Sequence, residues 1–225
     1  MLEFLPVNDS VSLVLASNSP RRRQLLALGG WQFSVFVADV DESQLPDEHP
    51  AEYVLRLAED KACLAASKMP YQAIVIAADT AVVDGSDILG KPADAQEAVR
   101  MLERLRAHTH QVYTGLALLR KSDGYALSDL TVTDVPMRDY SDTEIAAYVQ
   151  TGDPLDKAGA YGIQHSAFRP VRDMKGCFAS VMGLPLCRLT VLLRQFGVTP
   201  GTDVAHLCQA EIGYDCPISH TILGE

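Results

Sequence analysis

Positive charge is scarce in this sequence. Its 225 residues contain 19 lysines and arginines against 29 aspartates and glutamates, a formal net charge of -10 at pH 7. A broad surface for nucleic acid or for an anionic membrane is cationic, so this balance argues against both partners. A small anionic ligand stays compatible with it, provided that a few cations are gathered in one place.

Long apolar runs and a regular cysteine spacing are also absent. No apolar run approaches the roughly 20 residues that span a bilayer, and the N-terminal stretch MLEFLPVNDS lacks the basic and apolar regions of a signal peptide. The five cysteines are scattered, without the spacing of a disulfide framework. We therefore expect a cytoplasmic protein with reduced thiols.

The apolar residues, 48% of the chain, predict the fold class through their order. Runs typical of buried strands alternate with stretches of helical periodicity, in the order β-α-β-α-β-α. Two long strand-like segments, 112–120 and 125–138, follow as a predicted antiparallel pair, and a helix over 184–196 comes late. This order predicts an α/β fold in which a mixed, twisted sheet with an antiparallel extension is flanked by helices.

Three of the 19 basic residues are consecutive in one stretch, LASNSPRRRQLL, where a predicted strand ends and a helix begins. Ser19 is a favourable N-cap and Pro20 suits the first helical position. Free N–H groups and partial positive charge at a helix N-terminus bind anions. With Ser17, Arg21 and Arg22 added, the stretch predicts a phosphate site. The alternative is an ordinary capped helix with its arginines in solvent.

A second stretch, GSDILGKP from Gly85, nearly matches the P-loop pattern. It fails at Pro92, which has neither the hydroxyl for Mg²⁺ nor an N–H for the phosphate. We interpret it instead as a hairpin turn at Asp84 and Gly85 that carries Lys91 back toward the end of the sheet.

Carboxylates stand at two suggestive places. Asp79 lies inside the apolar run 73–83, where a charge is expensive to bury unless it is paired or ligates a metal. Burial against a lysine or backbone amides is the structural alternative. Glu42 lies in an acidic loop after the second predicted strand. Lys61 lies in mid-helix, where a charged residue ordinarily faces solvent.

Eight motifs occur in an order and spacing that resemble the Maf family of nucleoside triphosphate pyrophosphatases, from about residue 11 to about residue 196. They are SNSPRR from Ser17, VDE from Val40, RLAEDKA from Arg56, ADT from Ala78, GKP from Gly90, YTG from Tyr113, DKAGAYGIQ from Asp156 and VMGLP from Val181. The resemblance implies hydrolysis between the α and β phosphates, releasing pyrophosphate, with Mg²⁺ or Mn²⁺ as cofactor. It also implies an elongated two-lobed Maf/ITPase-like fold, often dimeric, with the site in a central cleft.

The residue types suit that reaction. A triphosphate carries about four negative charges, so its site needs several cations that stay charged. Arg21 and Arg22 can bind phosphate oxygens in bidentate fashion, while Lys61 and Lys91 can stabilise the leaving pyrophosphate. The family's matching position suggests Asp79 as the general base for the attacking water.

Metal binding is assigned to Glu42 together with Asp79, since hard cations take carboxylate oxygens. Whether Asp79 serves as base, as ligand or as both stays open.

Base preference differs between branches of the family, one acting on thymine and uracil nucleotides and another on 7-methylguanine nucleotides. Thr80, directly after Asp79, and Gln164 resemble the dTTP/UTP branch, and an amide can pair with a pyrimidine edge. The alternative for Gln164 is a strand residue that satisfies the backbone. We predict hydrolysis of dTTP and UTP. There are two alternatives. The protein could be a pyrophosphatase that prefers 7-methyl-GTP or inosine-type nucleotides, or a regulator of cell division that binds a nucleotide without turnover.

Two segments depart from the family. Cys177 stands where the family usually has serine or aspartate. The sequence also predicts one catalytic domain over 1–200 and an atypical tail over 201–225. The tail's histidines and cysteines have a spacing that could ligate zinc. We expect a loosely ordered segment instead.

Overall fold

The computed structural model of the chain describes residues 11–224. The remaining residues of the predicted N-terminal and tail segments, including the stretch MLEFLPVNDS, lie outside this range. The described chain forms β1 (Ser12–Leu15), α1 (Pro20–Ala27), β2 (Phe33–Val35), α2 (Pro50–Lys68), β3 (Ala73–Asp84), β4 (Asp87–Leu89), α3 (Ala95–Leu105), β5 (Thr109–Arg120), β6 (Ala126–Pro136), α4 (Asp142–Gln150), two 3₁₀ turns (Asp153–Asp156 and Ala158–Ala160), α5 (Phe178–Val181), α6 (Leu186–Gln195), α7 (Val204–Ile212) and α8 (Ser219–Leu223).

One six-stranded sheet forms the centre of the molecule, with strand order β2-β1-β3-β5-β6. β1 pairs in parallel with β2 and with β3, as expected when helices connect successive strands. β5 and β6 continue the sheet in antiparallel fashion, and β4 folds back on the far half of β3. The predicted α/β class with an antiparallel extension is confirmed.

β3 is incompletely paired along one edge. β1 accompanies it as far as Ile76 and β4 joins it only from Val82, whereas β5 pairs along its whole opposite edge. Among residues 11–224 no strand fills the interval between β1 and β4. This gap opens the sheet at its centre.

At the level of this gap, each face of the sheet carries small or polar residues, which together form a polar row across β3 and β5. On one face Thr80 lies opposite Thr114, and on the other Asp79 lies opposite Gly115. A Cβ added at Gly115 would lie 2.5 Å from the carbonyl oxygen of Val54, so only glycine lets α2 approach this closely.

Two large apolar cores lie on either side of the Thr80–Thr114 pair. One packs α1 and α6 against the first half of β3 and includes Leu25, Ile76 and Leu189. The other packs α3 and α4 against its second half and includes Leu102 and Tyr148. The chain therefore has the predicted two lobes, which meet at the polar row.

The expected loose order of the tail was wrong. α7 and α8 cover α6, and Val204 is 3% exposed within the first apolar core. α7 begins at the N-cap Asp203, whose side chain accepts from the His206 amide, and ends at Gly213 in the left-handed conformation. The predicted domain division at residue 200 stays a prediction. No helix among the described residues is long and apolar enough to cross a membrane.

Candidate active site

A cavity of about 630 Å³ lies between the lobes, where the sheet is open. All ten of the predicted site residues line it: Ser17, Ser19, Arg21, Arg22, Glu42, Lys61, Asp79, Thr80, Lys91 and Gln164. Their positions span the chain from the end of β1 to the segment after α4, so the fold, and not sequence proximity, brings them together.

Lys61 joins the two predicted acidic residues. Its Nζ donates to Glu42 Oε1 at 2.6 Å and to Asp79 Oδ1 at 2.7 Å. Lys61 and Asp79 are 7% and 8% exposed, because α2 packs directly over this part of β3. The ordinary alternative for Lys61, a mid-helix lysine that faces solvent, was wrong. The structural alternative for Asp79, burial against a lysine, is what the structure contains, but the pair faces the cavity.

The charge of Glu42 is set by opposing effects. Burial raises the pKa of this carboxyl group, but the hydrogen bond and charge of Lys61, together with Lys91 and Arg22, outweigh burial and hold the pKa below its usual value. Glu42 is therefore ionised at neutral pH.

The loop that carries Glu42 is fastened to α2 by two residues to which the sequence gave no role, although one of them, Arg56, begins the RLAEDKA motif. Tyr53 donates its hydroxyl proton to the Glu42 carbonyl at 2.9 Å, and Arg56 donates to the Ser43 carbonyl at 3.0 Å. Arg56 also makes a bidentate pair with Glu48. Burial and the nearby carboxylates raise the pKa of Tyr53 to about 12, so it is a neutral donor.

Arg22 lies on the opposite face of β3 and connects three segments. Its Nε donates to the Gly183 carbonyl at 2.9 Å, its Nη2 to Thr80 Oγ1 at 3.2 Å and its Nη1 to Ser17 Oγ at 3.4 Å. Burial lowers the pKa of Arg22 and Asp79 partly restores it. A guanidinium nevertheless remains charged in proteins.

The serines of this motif organise the turn before α1. Ser19 is the predicted N-cap and accepts from the Arg22 amide at 3.4 Å, while Ser17 Oγ accepts from the Ser19 amide at 3.2 Å. Their hydroxyl protons remain available for a phosphate oxygen. The alternative of arginines in solvent describes Arg23, which is exposed.

Arg21 and Lys91 supply cations without ion-pair partners within residues 11–224. The β3–β4 hairpin, with Gly85 at φ +66°, returns the chain so that Lys91 lines the cavity, as predicted. Both cations are free to meet an anionic ligand.

Thr80 and Asp79 point to opposite faces, as adjacent strand residues must. Both line the cavity because the gap in strand pairing exposes β3 edge-on. The Thr80 and Thr114 hydroxyl oxygens are 3.1 Å apart, and Thr114 donates to the Ser180 carbonyl at 2.9 Å. Thr80 thus shapes the wall on which Arg22 lies.

Gln164 is an exposed turn residue, so its alternative interpretation as a strand residue was wrong. Its side chain forms no hydrogen bond within the described chain, which leaves both amide groups free for a ligand. The cavity near it has an apolar lining that includes Val82, Leu89 and Ile163.

Lys157 is a further cavity residue to which the sequence gave no role. It is 8% exposed, and its Nζ lies 2.9 Å from Asp153 Oδ1 and 2.7 Å from Asp156 Oδ1. The sequence signal that could have identified Lys157 is its place in the DKAGAYGIQ motif, directly after Asp156, which also lines the cavity.

Two carboxylates of the cavity, Glu42 and Asp79, lie close enough to share one lysine and could take a metal together. Within the described range no three His, Cys, Asp or Glu residues are grouped to hold a metal, which leaves no zinc site in the tail. Magnesium usually takes one or two protein carboxylates and completes its shell with water and substrate phosphates. Glu42 and Asp79, which share one ammonium group, fit that smaller requirement.

Comparisons with known proteins agree with the motifs. The profile of a family described as Maf-like protein matches residues 12–196. A dTTP/UTP pyrophosphatase of Hahella chejuensis is 46% identical over 193 residues, covering 85% of this chain and 95% of that protein. Proteins of the same name from Geobacter metallireducens and Vibrio cholerae are each 45% identical, covering 86% and 82% of this chain and 99% and 97% of their own.

Proposed function

The chain belongs to the Maf family, and from that premise we propose that it hydrolyses dTTP and UTP to the nucleoside monophosphate and pyrophosphate. The observation that carries the proposal is the Glu42–Lys61–Asp79 cluster, placed in a cavity whose other walls present Arg21, Arg22 and Lys91. In a protein with a net charge of -10, these arginines and lysines line one cavity, where a triphosphate would need them.

The triphosphate would lie across the gap in the sheet. Arg21 and Arg22, with the free N–H groups at the start of α1, would bind its oxygens from one lobe, and Lys91 from the other. Such contacts carry no base identity, so they would serve every nucleotide alike.

Asp79 is the general base in this proposal. Its carboxylate lines the cavity, is held by Lys61 Nζ at 2.7 Å from Oδ1, and would accept a proton from the attacking water. Attack at the α phosphorus breaks its bond to the bridging oxygen and expels pyrophosphate. The cations of the cavity stabilise the negative charge that develops on this leaving group.

Mg²⁺ or Mn²⁺ is the proposed cofactor, with Glu42 and Asp79 as its ligands. When bound, it would neutralise phosphate charge and polarise the phosphorus toward attack.

Base choice would come from the other end of the cavity. Gln164 can donate to a pyrimidine O4 and accept from N3–H, beside the apolar surface of Val82 and Ile163. A site built to hydrogen-bond a base rejects analogues that leave its polar groups unpaired. Thr80 would contribute through the wall it forms with Arg22.

The setting of the enzyme is proposed from the same premises. We expect it to act in the cytoplasm as a homodimer, without a membrane or a stable nucleic-acid partner.

A nucleotide panel tests the function. Purified protein with Mg²⁺ or Mn²⁺ is given dTTP, UTP, CTP, the purine triphosphates and 7-methyl-GTP, and pyrophosphate release is measured. We expect dTTP and UTP to be hydrolysed fastest. Faster hydrolysis of 7-methyl-GTP or of inosine triphosphate would refute the base assignment alone. Binding without pyrophosphate release would favour a nucleotide-binding regulator.

A further inference from the structure

The C-terminal extension, residues 197–224, has no counterpart in the family match but is built into the first lobe. The Maf profile ends at residue 196. The alignment with the Geobacter metallireducens relative uses 99% of that protein but only 86% of this chain. That protein therefore has almost no residues left that could correspond to the extension. Even so, Val204 and Ala205 are 3% and 4% exposed.

Its first contacts fix the C-terminal end of α1. Thr202 Oγ1 donates to the Leu28 carbonyl at 2.6 Å, and Trp31 Nε1 donates to the Thr199 carbonyl at 3.0 Å. The last carbonyls of a helix have no partner within it, so such donors determine how the helix ends. The extension thereby holds the helix whose first turn carries Arg22.

Its second set of contacts holds the segment before α5. The Tyr214 hydroxyl lies 3.0 Å from both the Met174 and the Gly176 carbonyl oxygens, and its ring centroid is 5.5 Å from that of Phe178. α5 has four residues, and so short a helix depends on tertiary packing for its stability. At its N-cap, Cys177 Sγ accepts from the Ser180 amide at 3.3 Å.

Arg22 spans the distance between these two held elements. Its backbone belongs to α1, and its Nε reaches the carbonyl of Gly183, two residues after α5, at 2.9 Å. A hydrogen bond at this distance tolerates a displacement of only a few tenths of an ångström. The guanidinium therefore keeps its shortest hydrogen bond only while α1 and α5 keep their separation, since its bonds to Thr80 and Ser17 are longer, at 3.2 and 3.4 Å.

We propose that the C-terminal extension positions Arg22 for phosphate binding by holding α1 and α5 together, with Tyr214 as the main positioning residue. The kinetic consequence rests on the proposed function, since it requires a nucleotide substrate. The structural consequence does not.

Tyr214→Phe tests the proposal because it keeps the ring and removes the hydroxyl. Losing a hydrogen bond of ordinary strength should raise KM about two- to tenfold, equally for dTTP, UTP and CTP. Amide hydrogen exchange over residues 177–184 should become faster. Thr202→Val, which loosens the contact with α1, should raise KM in the same way. Ser219→Ala is the matched control, since Ser219 bonds only to the Cys216 carbonyl inside the extension.

The outcomes separate the two proposals. If Tyr214→Phe shows the same amide exchange rates over 177–184 and the same KM as the control Ser219→Ala, the positioning role is refuted. A rise in KM without faster exchange over 177–184 refutes it too, and so does a change in base preference. Should the wild type release pyrophosphate from no nucleotide, the proposed function fails, while the exchange measurement still decides whether Tyr214 holds α5.

Discussion

Replacing Asp79 by asparagine probes the centre of the proposed mechanism. The amide has nearly the volume of the carboxylate, and its oxygen can still accept from Lys61, now 2.7 Å from Asp79. The negative charge and the ability to take a proton are lost. A positioned general base contributes about 10²- to 10⁴-fold to the rate, so kcat for dTTP should fall by that factor at saturating Mg²⁺.

The cost in stability should be much smaller than the loss of activity. Removing one partner of a fully buried ion pair costs about 3–5 kcal/mol when the other charge is left uncompensated. Here Glu42 still pairs with Lys61 at 2.6 Å, and its side chain is 55% exposed. We therefore expect about 1–3 kcal/mol, the usual cost of weakening a buried polar contact, and a Tm lower by about 2–12 °C.

Pyrophosphate release and thermal unfolding, measured on the same preparation, separate the two effects. Asp129→Asn is the matched control, since Asp129 is also a strand carboxylate in an ion pair, 3.1 Å from Arg188, but is not among the residues that line the cavity. It should keep normal kcat. Near-normal kcat in Asp79→Asn would show that Asp79 is not the base. If the variant is instead unfolded at the assay temperature, its inactivity is a loss of stability and does not support the mechanism.

Three further substitutions test the remaining parts of the site. Arg22→Ala should lower kcat/KM about 10- to 100-fold for every nucleotide, the cost of a lost charged hydrogen bond, whereas exposed Arg23→Ala should have a mild effect; a loss confined to one base in a kinetic panel would contradict phosphate binding. Gln164→Ala should reduce the preference for dTTP and UTP over CTP more than it lowers kcat, as competition assays would show, and an unchanged preference would contradict the base contact. Glu42→Gln tests the pairing with Lys61 through its pH dependence. Burial raises the pKa of Glu42, but Lys61 outweighs burial and holds this pKa below its usual value. The ionised form therefore stabilises the fold above about pH 4.5, and this contribution is lost as the pH falls through the lowered pKa. The difference in Tm between wild type and Glu42→Gln should therefore be constant from pH 7 to pH 5 and shrink below pH 4, and a difference that does not change with pH would contradict the pairing.

Local signals predicted most of the fold. The Ser19 cap and the hairpin at Gly85 depend on residues close in sequence, and both occur in the structure. The start and stop signals of α7, Asp203 and Gly213, are equally local, but the short helix between them has too weak an apolar pattern to stand out.

The candidate site could be predicted as a set of residues but not as an arrangement. Motif order identified the ten cavity residues, yet the burial of Lys61 depends on α2 crossing β3, which follows from tertiary packing. The roles of Tyr53 and Arg56 could not be predicted for the same reason, since they act on a loop that the helix reaches only in the folded chain. Individual helical positions carry no mark of such distant partners.

The register of β3 ties the two sides of the cavity to one another. Asp79 and Thr80 are consecutive, and ten residue pairs, from Ile74 opposite Arg120 to Val83 opposite Gln111, hold them in place. A slip of one residue would turn each side chain to the other face. The hydroxyl would then meet Lys61 and the carboxylate would meet Arg22. An insertion or deletion that shifted this pairing could not retune one wall of the cavity alone, because it would exchange the chemistry of both walls in a single step.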